Sequence, residues 1–178
     1  TGDPDGDMLD NLNEYAHGTC PTNADTDADG ASDGLEVSVG TDPLDDTRYP
    51  VTLSGTVGYG GIQSGLIWVI AVTNESWSTN FHAVRSEPGA WAVSNLPNNV
   101  VYEIKGWRDS QQDPPGTVSP DYWEAWGPYW EIPSPATNII VCPDNSMTNL
   151  DFLLGDPGAD QDYDGLPDWW EMYYFGNL

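Results

Sequence analysis

A spacing of acidic residues that occurs three times constrains this chain more than any other feature of its sequence. In the stretch "DTDADGASDGLE", acids stand at positions 1, 3, 5, 9 and 12 of twelve residues, and a glycine stands at position 6. A hard cation such as Ca²⁺ takes about six to eight oxygen ligands, and a loop that turns sharply at glycine directs alternate side chains toward one point. The spacing therefore predicts a calcium loop in which the residue at position 7 contributes its backbone carbonyl.

The same template fits residues 3–14, 25–36 and 160–171, so we expect about three or more calcium ions per chain. The first copy departs from the template, because Met8 replaces the glycine and Asn11 replaces the acid at position 9. Met8 must then adopt a backbone conformation that favours glycine. Because clustered carboxylates repel one another, each loop is expected to open without its cation. The predicted ligands are Asp3, Asp5, Asp7, Asn11 and Glu14 in the first loop, Asp25, Asp27, Asp29, Ala31, Asp33 and Glu36 in the second, and Asp160, Asp162, Asp164, Leu166, Asp168 and Glu171 in the third.

Each loop runs into a short apolar stretch that ends at glycine: "EYAHG", "EVSVG" and "EMYYFG". This pattern predicts one or two helical turns with a glycine C-cap. Prolines and polar residues precede the loops instead of a helix, which argues against paired EF-hands. Residues 3–47 resemble thrombospondin type 3 calcium repeats of the form found in secreted bacterial proteins. The resemblance implies that the loop acids bind calcium and that neighbouring repeats share ligands.

The charge of the chain is strongly and unevenly acidic. It has 29 Asp and Glu against 4 Lys and Arg, for a formal net charge of −25, and the acids concentrate in residues 1–48 and 156–178. Such a surface repels nucleic acid and anionic membranes, and calcium is its natural counter-charge. The longest apolar run, "LIWVIAV", has the length of a strand and is too short to span a membrane. Because the chain begins at Thr1 with no signal peptide, we expect a mature or excised segment of a secreted protein.

The two cysteines leave two alternatives open. Cys20 lies in the repeats, where the thrombospondin-like pattern usually has aspartate, and Cys142 lies in the central block. In a secreted protein they would form one disulfide, and otherwise they are two unpaired buried thiols. The disulfide is the favoured alternative.

The central block is poor in charge and rich in glycine, proline, tryptophan and β-branched residues. Short strands are predicted over residues 51–57, 66–72, 81–84, 90–96, 100–107, 137–141 and 149–154. These elements predict a mainly β domain over residues 49–155, a seven-stranded antiparallel β-sandwich. The order "SGTV", "SGLIWVIAV", "PGAWAVSNLPNNVVYEIKGWRD" resembles prealbumin-like or carboxypeptidase-regulatory-like domains. That resemblance implies a transthyretin-type, Ig-like sandwich with a structural role. The predicted domains are therefore 1–48, 49–155 and 156–178.

A long loop over residues 108–133 does not fit the strand pattern. Three interpretations are open: a cover over one end of the sandwich, an interface patch, or a sugar-stacking platform. Its acids also suit a cation. Its aromatic residues include Trp123, Trp126, Tyr129 and Trp130, and its acids include Asp109, Asp113, Asp121 and Glu124. The chain lacks a nucleophile elbow, zinc spacing or phosphate loop, and its two histidines, His17 and His82, are far apart in sequence, so no enzyme activity is expected.

The last stretch carries a cluster of large apolar residues on a short predicted helix, which cannot cover all of them. The first repeat offers a complementary apolar set. The cluster is Trp169, Trp170, Met172, Tyr173, Tyr174 and Phe175, and the complement is Met8, Leu9, Leu12 and Tyr15. Asp3 and Asp25 are 22 residues apart, and Asp160 lies 21 residues before Asp3 of a copy that follows directly. We therefore expect copies to join head to tail as a filament or tandem array.

The function expected from these patterns is a non-enzymatic, calcium-stabilised structural repeat of an extracellular fibre or cell-surface stalk. Two alternatives remain at this stage. One is a carbohydrate-binding or adhesin module that uses the aromatic loop at residues 121–131. The other is an accessory module of a larger secreted enzyme.

Overall fold

The computed structural model describes residues 2–60, 64–73, 80–109 and 139–154, together with the backbone of residues 126–127. It divides into two compact modules. The repeat module comprises Thr1–Thr52, Ser94–Val100 and Cys142–Ser146, and the sheet module comprises Leu53–Val93, Val101–Val141 and Met147–Leu178. The third predicted calcium loop, the aromatic cluster at residues 169–175 and nearly all of the loop at residues 110–138 lie outside the described residues.

The repeat module contains two short helices, α1 (Asn11–His17) and α2 (Asp33–Val39). Each helix ends at a glycine in the left-handed conformation, with φ of 83° at Gly18 and 88° at Gly40. Only glycine adopts this conformation without steric cost, and its N–H bonds a carbonyl of the last turn. The prediction of glycine-capped helical turns is therefore confirmed for the first two repeats. Neither helix has the length and apolar character that crossing a membrane would require.

The remaining elements are strands in two sheets, so the fold is mainly β. A three-stranded sheet has the order β4-β1-β8, and a five-stranded sheet has the order β3-β2-β5-β6, with β7 also paired to β5. The strands are β1 (Pro50–Tyr59), β2 (Leu66–Val72), β3 (His82–Arg85), β4 (Gly89–Pro97), β5 (Tyr102–Asp109), β6 (Trp126–Gly127), β7 (Ile139–Val141) and β8 (Phe152–Leu154).

Two details of the predicted antiparallel, seven-stranded arrangement are wrong. The short strand β6 brings the strands named here to eight. In addition β1 and β8 are parallel, with Val57 opposite Phe152 and Tyr59 opposite Leu154. Parallel neighbours need a long connection between them. Here residues 60–151 connect the two strands. Alternation of apolar residues indicates a strand but does not specify the direction of its neighbour.

Strand β2 explains why an uninterrupted apolar run belongs in this fold. It pairs with β3 on one side and β5 on the other, and its residues from Val69 to Val72 are all buried. Because successive side chains point to opposite faces, both faces of the five-stranded sheet are covered at this strand. On one face Ile70 and Val72 form a cluster with Trp107, whose ring stacks on that of Trp68 at 5.7 Å between centroids.

Within the sheet module, the two sheets contact each other through Phe152 of β8. Its ring lies 6.1 Å from that of Trp91 on β4. On the other side it faces Gly106 of β5, where an added Cβ would lie 2.8 Å from a ring carbon. That distance is too short for any side chain, so Gly106 makes room for the aromatic ring of the opposite sheet.

Within the repeat module, the segment that follows the second repeat is held by Asn98, which is 6% exposed. The side-chain amide of Asn98 donates to the Thr47 carbonyl at 2.9 Å and accepts from the Tyr49 N–H at 3.2 Å. Its backbone N–H donates to the Tyr49 carbonyl at 3.1 Å. Three hydrogen bonds thus join Asn98 to two residues, Thr47 and Tyr49, which fixes the conformation in which the repeats lead into β1.

Candidate calcium sites

The first two acidic loops have the same internal hydrogen bonds, which determine their shape. At position 1, Asp3 accepts from the backbone N–H groups of Gly6 and Met8, at 2.9 and 3.2 Å. In the second loop Asp25 accepts from Ala28 and Gly30, at 2.8 and 3.1 Å. These bonds curl each loop around its first aspartate, as Asx turns do. The replacement of glycine by Met8 therefore leaves the shape of the loop unchanged.

In both loops the residues at positions 4 and 6 have positive φ. At position 6, Met8 has φ of 76° and Gly30 has φ of 101°. The expectation that Met8 must adopt a glycine-like backbone is therefore confirmed. At position 4, Gly6 has φ of 78° and Ala28 has φ of 65°. The requirement at position 4 was not recognised from the sequence, because Ala28 gives no signal for it.

The odd-numbered aspartates of each loop converge on one point. The carboxylates of Asp3, Asp5 and Asp7 each place an oxygen within 4.8 Å of the others, and those of Asp25, Asp27 and Asp29 do the same. The structure thus brings together the predicted ligands at positions 1, 3 and 5 of both loops.

The glutamate at position 12 of each loop lies on the following helix, where the charges of the loop aspartates act on its carboxylate. Glu14 and Glu36 are both 0% exposed, although glutamate is almost never fully buried unless it is paired. Neither carboxylate receives a hydrogen bond, and in each loop four carboxylate oxygens are buried without a partner. These oxygens are Asp5 Oδ1, Asp5 Oδ2, Glu14 Oε1 and Glu14 Oε2 in the first loop, and Asp27 Oδ2, Asp29 Oδ2, Glu36 Oε1 and Glu36 Oε2 in the second. Buried polar atoms are nearly always satisfied in proteins, so the donor set fits a calcium ion in each loop.

The position-9 residues differ from the other predicted ligands. Asp33 is buried, but its Oδ1 accepts from the Thr26 N–H at 2.8 Å and its Oδ2 from the Thr26 hydroxyl at 2.7 Å. It therefore braces position 2 of its own loop. Asn11 is exposed, and its backbone N–H donates to the Gly2 carbonyl at 2.9 Å. Asp33 is not one of the three acids of its loop whose oxygens lie within 4.8 Å of one another.

The two loops contact each other directly at one point. Asp7 Oδ2 accepts a hydrogen bond from the N–H of Gly34, at 2.8 Å, while Asp7 Oδ1 accepts from the Leu9 N–H at 2.7 Å. Gly34 lies in the first turn of α2, so an acid of the first loop supplies an acceptor to an N–H that the helix cannot satisfy internally. A Cβ at position 34 would overlap the Asp7 carbonyl oxygen. Apart from the glycine at position 34, no residue in the sequence indicates this contact.

The burial of the glutamates perturbs their protonation in the calcium-free protein. Burial, followed by the charge of Asp29, raises the pKa of Glu36 to about 7. Burial and then the charges of Asp5 and Asp7 raise the pKa of Glu14. Burial also raises the pKa of Asp27. All three shifts have one cause, which is the placing of carboxylates together away from water.

These shifts predict a pH dependence for the calcium-free protein. Since the pKa of Glu36 is raised from 4.5 to about 7 in the folded state, the folded state binds protons more tightly than the unfolded state does. Stability of residues 2–46 should therefore be greatest below about pH 4.5 and fall as the pH rises to about 7. Hydrogen exchange of α1 and α2 in chelator, compared at pH 5 and pH 8, measures this change in stability. Equal protection at the two pH values would contradict the prediction.

Asp45 does not interfere with this test. The Thr47 hydroxyl and N–H hydrogen-bond its carboxylate and lower its pKa below 3.8. The stability that Asp45 contributes is present above pH 3.8 and is lost only as the pH falls further. Its effect therefore lies outside the window from pH 5 to pH 8.

The predicted disulfide is not formed in the structure, where Cys20 and Cys142 are both exposed free thiols. Cys20 makes short-range contacts with Thr22 and with the start of the second loop. Its N–H donates to the Thr26 hydroxyl at 3.1 Å, and its Sγ lies 3.6 Å from the Thr22 hydroxyl. The alternative of buried thiols is wrong as well, since both side chains are exposed.

The remaining candidate residues do not form a second site among the described residues. His17 is exposed in the last turn of α1, whereas His82 packs against Trp68 with 5.3 Å between ring centroids. Asp109 is 9% exposed at the end of β5. The other aromatic and acidic residues of the long loop lie outside the part that the structure describes, apart from the backbone of Trp126 in β6.

Comparison of the chain with protein-family models, with curated proteins and with solved structures found no match.

Proposed function

We propose that this chain is a calcium-stabilised structural module that acts outside the cell and carries no enzymatic activity. One observation supports the calcium sites most strongly: the buried side chains of the repeats are acids and threonines instead of hydrophobic residues. Between residues 2 and 48 the buried apolar side chains are Leu9 and Pro43 alone. The buried polar side chains there are Asp7, Glu14, Thr19, Asp33, Glu36 and Thr41.

Such an interior does not hold a chain together by the hydrophobic effect. Bringing carboxylates out of water without partners opposes folding. A divalent cation turns the net electrostatic interaction within each loop from repulsive to attractive. Each ion attracts all the carboxylates that otherwise repel one another. The described residues include no ion pair between a basic side chain and a loop acid. The calcium-binding repeats of the thrombospondin type 3 kind, inferred from the loop spacing, agree with this interpretation.

The role that follows is mechanical. Calcium fixes the conformation of α1, α2 and the two loops, and Asn98 fixes the segment from Thr47 to Tyr49 that continues into β1. A rigid connector attached to a β-sandwich suits a stalk or fibre. Oxygen sites on short loops suit the millimolar calcium found outside cells, which is why we place the protein there.

Calorimetric titration of the full chain with calcium tests the proposal. The intact protein should bind about three ions, and Glu36→Gln or Glu14→Gln should each weaken one of them by at least about tenfold, because position 12 supplies two oxygens of the set. Glu87→Gln is the matched control, since Glu87 is an exposed glutamate of the sheet module. If the chain bound no calcium at millimolar concentration, or if all three variants behaved alike, the proposed sites would be rejected.

A further inference from the structure

The two described repeats differ in how well their helices are covered. Residues Gly34, Leu35 and Val37 of α2 are half-buried, and the first loop contacts α2 through Asp7. The residues of the first repeat at the same positions are Leu12, Asn13 and Tyr15, and all three are exposed. Leu12 is 63% exposed and Tyr15 85% exposed, and Met8 in the adjoining loop is 92% exposed. At position 10 the first repeat thus exposes Leu12 to solvent, whereas the residue at that position in the second repeat, Gly34, contacts the preceding calcium loop.

From this difference we propose that the apolar surface formed by Met8, Leu12 and Tyr15, the α1 face, is the docking surface for residues 160–175 of a second copy. The inference rests on the proposed function, because the occupant is itself a predicted calcium loop. In the hydrogen bond between Gly34 and Asp7, the partner of the helix is position 5 of the preceding loop. The chain carries a third loop of the same spacing, in which position 5 is Asp164.

This joint must differ in one respect from the contact inside the repeat module. There the backbone of the first loop approaches α2 closely, because position 10 of the second repeat is Gly34. Position 10 of the first repeat is Leu12, whose side chain keeps a backbone away. Contact at the α1 face is therefore made between side chains. Residues 169–175, which include Trp169, Trp170 and Tyr174, supply large apolar side chains for this purpose.

Charge makes the joint dependent on calcium. The net charge of −25 is concentrated in the parts that would meet, so two calcium-free copies repel each other. Ions bound in the loops on both sides neutralise this repulsion and fix the shape of each surface. Because the two contacting surfaces are different, the contact is heterologous and produces a series of oligomers or an open filament.

Sedimentation velocity of the full chain, at rising protein concentration in millimolar calcium, measures the association. We expect a concentration-dependent series of oligomers that disappears in chelator. Leu12→Glu and Tyr174→Ala should each weaken it by about tenfold or more, which corresponds to one large apolar side chain no longer buried. Leu153→Glu is the control, because Leu153 is a comparably exposed leucine, at 54%, on β8. It should associate like the unmodified protein.

The outcomes separate this inference from the proposed function. A protein that binds calcium but stays monomeric overturns the docking surface and leaves the calcium sites standing. A protein that binds no calcium overturns both. Association that Leu12→Glu does not weaken shows that another surface is used. Leu12 and Tyr15 could also be protected from hydroxyl-radical labelling in a calcium-loaded monomer. That result would show that the chain's own tail covers the α1 face, and it would overturn a second copy as the occupant.

Discussion

Removal of calcium is expected to unfold residues 2–46 while β2 and β5 stay folded. The two parts differ in what is buried. In β2 and β5 the interior is apolar, with Ile67, Val69, Tyr102 and Ile104 all at most 1% exposed. Burial of apolar area does not depend on a cation. In the repeats the interior is made of carboxylates, so nothing in the described residues replaces the attraction that a bound ion supplies.

The size of the effect follows from linkage. A ligand that binds only the folded state stabilises it by about 2.7 kcal/mol when its concentration is 100 times its dissociation constant. Two such sites contribute roughly 5 kcal/mol, which is comparable to the whole stability of a small domain. At neutral pH the calcium-free state also bears the cost of burying Glu36 in its charged form, since its pKa is about 7. We therefore expect calcium to decide whether the repeats are folded.

Hydrogen exchange with mass spectrometry in calcium and in chelator measures this directly. Peptides covering α1 and α2 should lose at least about a hundredfold in protection, whereas peptides covering β2 and β5 should change little. Magnesium is a useful control, because it demands a smaller octahedral site and releases its waters reluctantly. Unchanged protection of α1 and α2 in chelator would mean that their fold does not need the cation.

The sequence predicted the parts of this protein that follow from periodic patterns. The spacing of the loop acids predicted that the carboxylates of Asp3, Asp5 and Asp7 converge, because a tight loop directs alternate side chains toward one point. Gly18 and Gly40 predicted the helix ends, because the left-handed conformation at a helix C-cap favours glycine. The uninterrupted apolar run from Leu66 to Val72 predicted a strand, and β2 has these bounds.

Contacts between residues distant in the chain were not predictable in this way. The parallel pairing of β1 with β8 depends on how the intervening chain is routed, about which alternation carries no information. The hydrogen bond from Gly34 to Asp7 joins residues 27 positions apart. In each case the residue type allowed several partners, and only the folded geometry selects one.

The substitution Gly34→Ala is expected to destabilise the repeats, although the same change stabilises most helices. Alanine is better than glycine inside a helix by about 1 kcal/mol, and Gly34 does not have a positive φ that would strain an alanine. Against this gain stands a direct overlap between the new Cβ and the Asp7 carbonyl oxygen. The carbonyl carbon of Asp7 and the N–H nitrogen of Leu9 would also lie only 3.1 and 3.2 Å away.

All of these atoms belong to the backbone, so no flexible side chain can move to accommodate the Cβ. The first loop must shift as a whole, and the hydrogen bond from the Gly34 N–H to Asp7 Oδ2 is then lost. Overpacking in a close-packed site costs typically about 1–3 kcal/mol. After the gain in helix propensity, a net loss of about 1–2 kcal/mol remains.

Calcium titration and thermal unfolding of Gly34→Ala, with Gly2→Ala as the control, test this expectation. Both substitutions add one methyl group, but a Cβ at Gly2 meets only the side-chain amide of Asn11, at 3.9 and 4.0 Å, which is ordinary contact. Because Asp7 is both a predicted ligand of the first loop and the acceptor for α2, Gly34→Ala should weaken calcium binding in the first loop without removing any ligand. A variant that melted higher than the unmodified protein in calcium would show that the loops fold independently of each other. The expected outcome, lower stability together with weaker binding in the neighbouring loop, would show that the two calcium sites form one structural unit joined at Gly34.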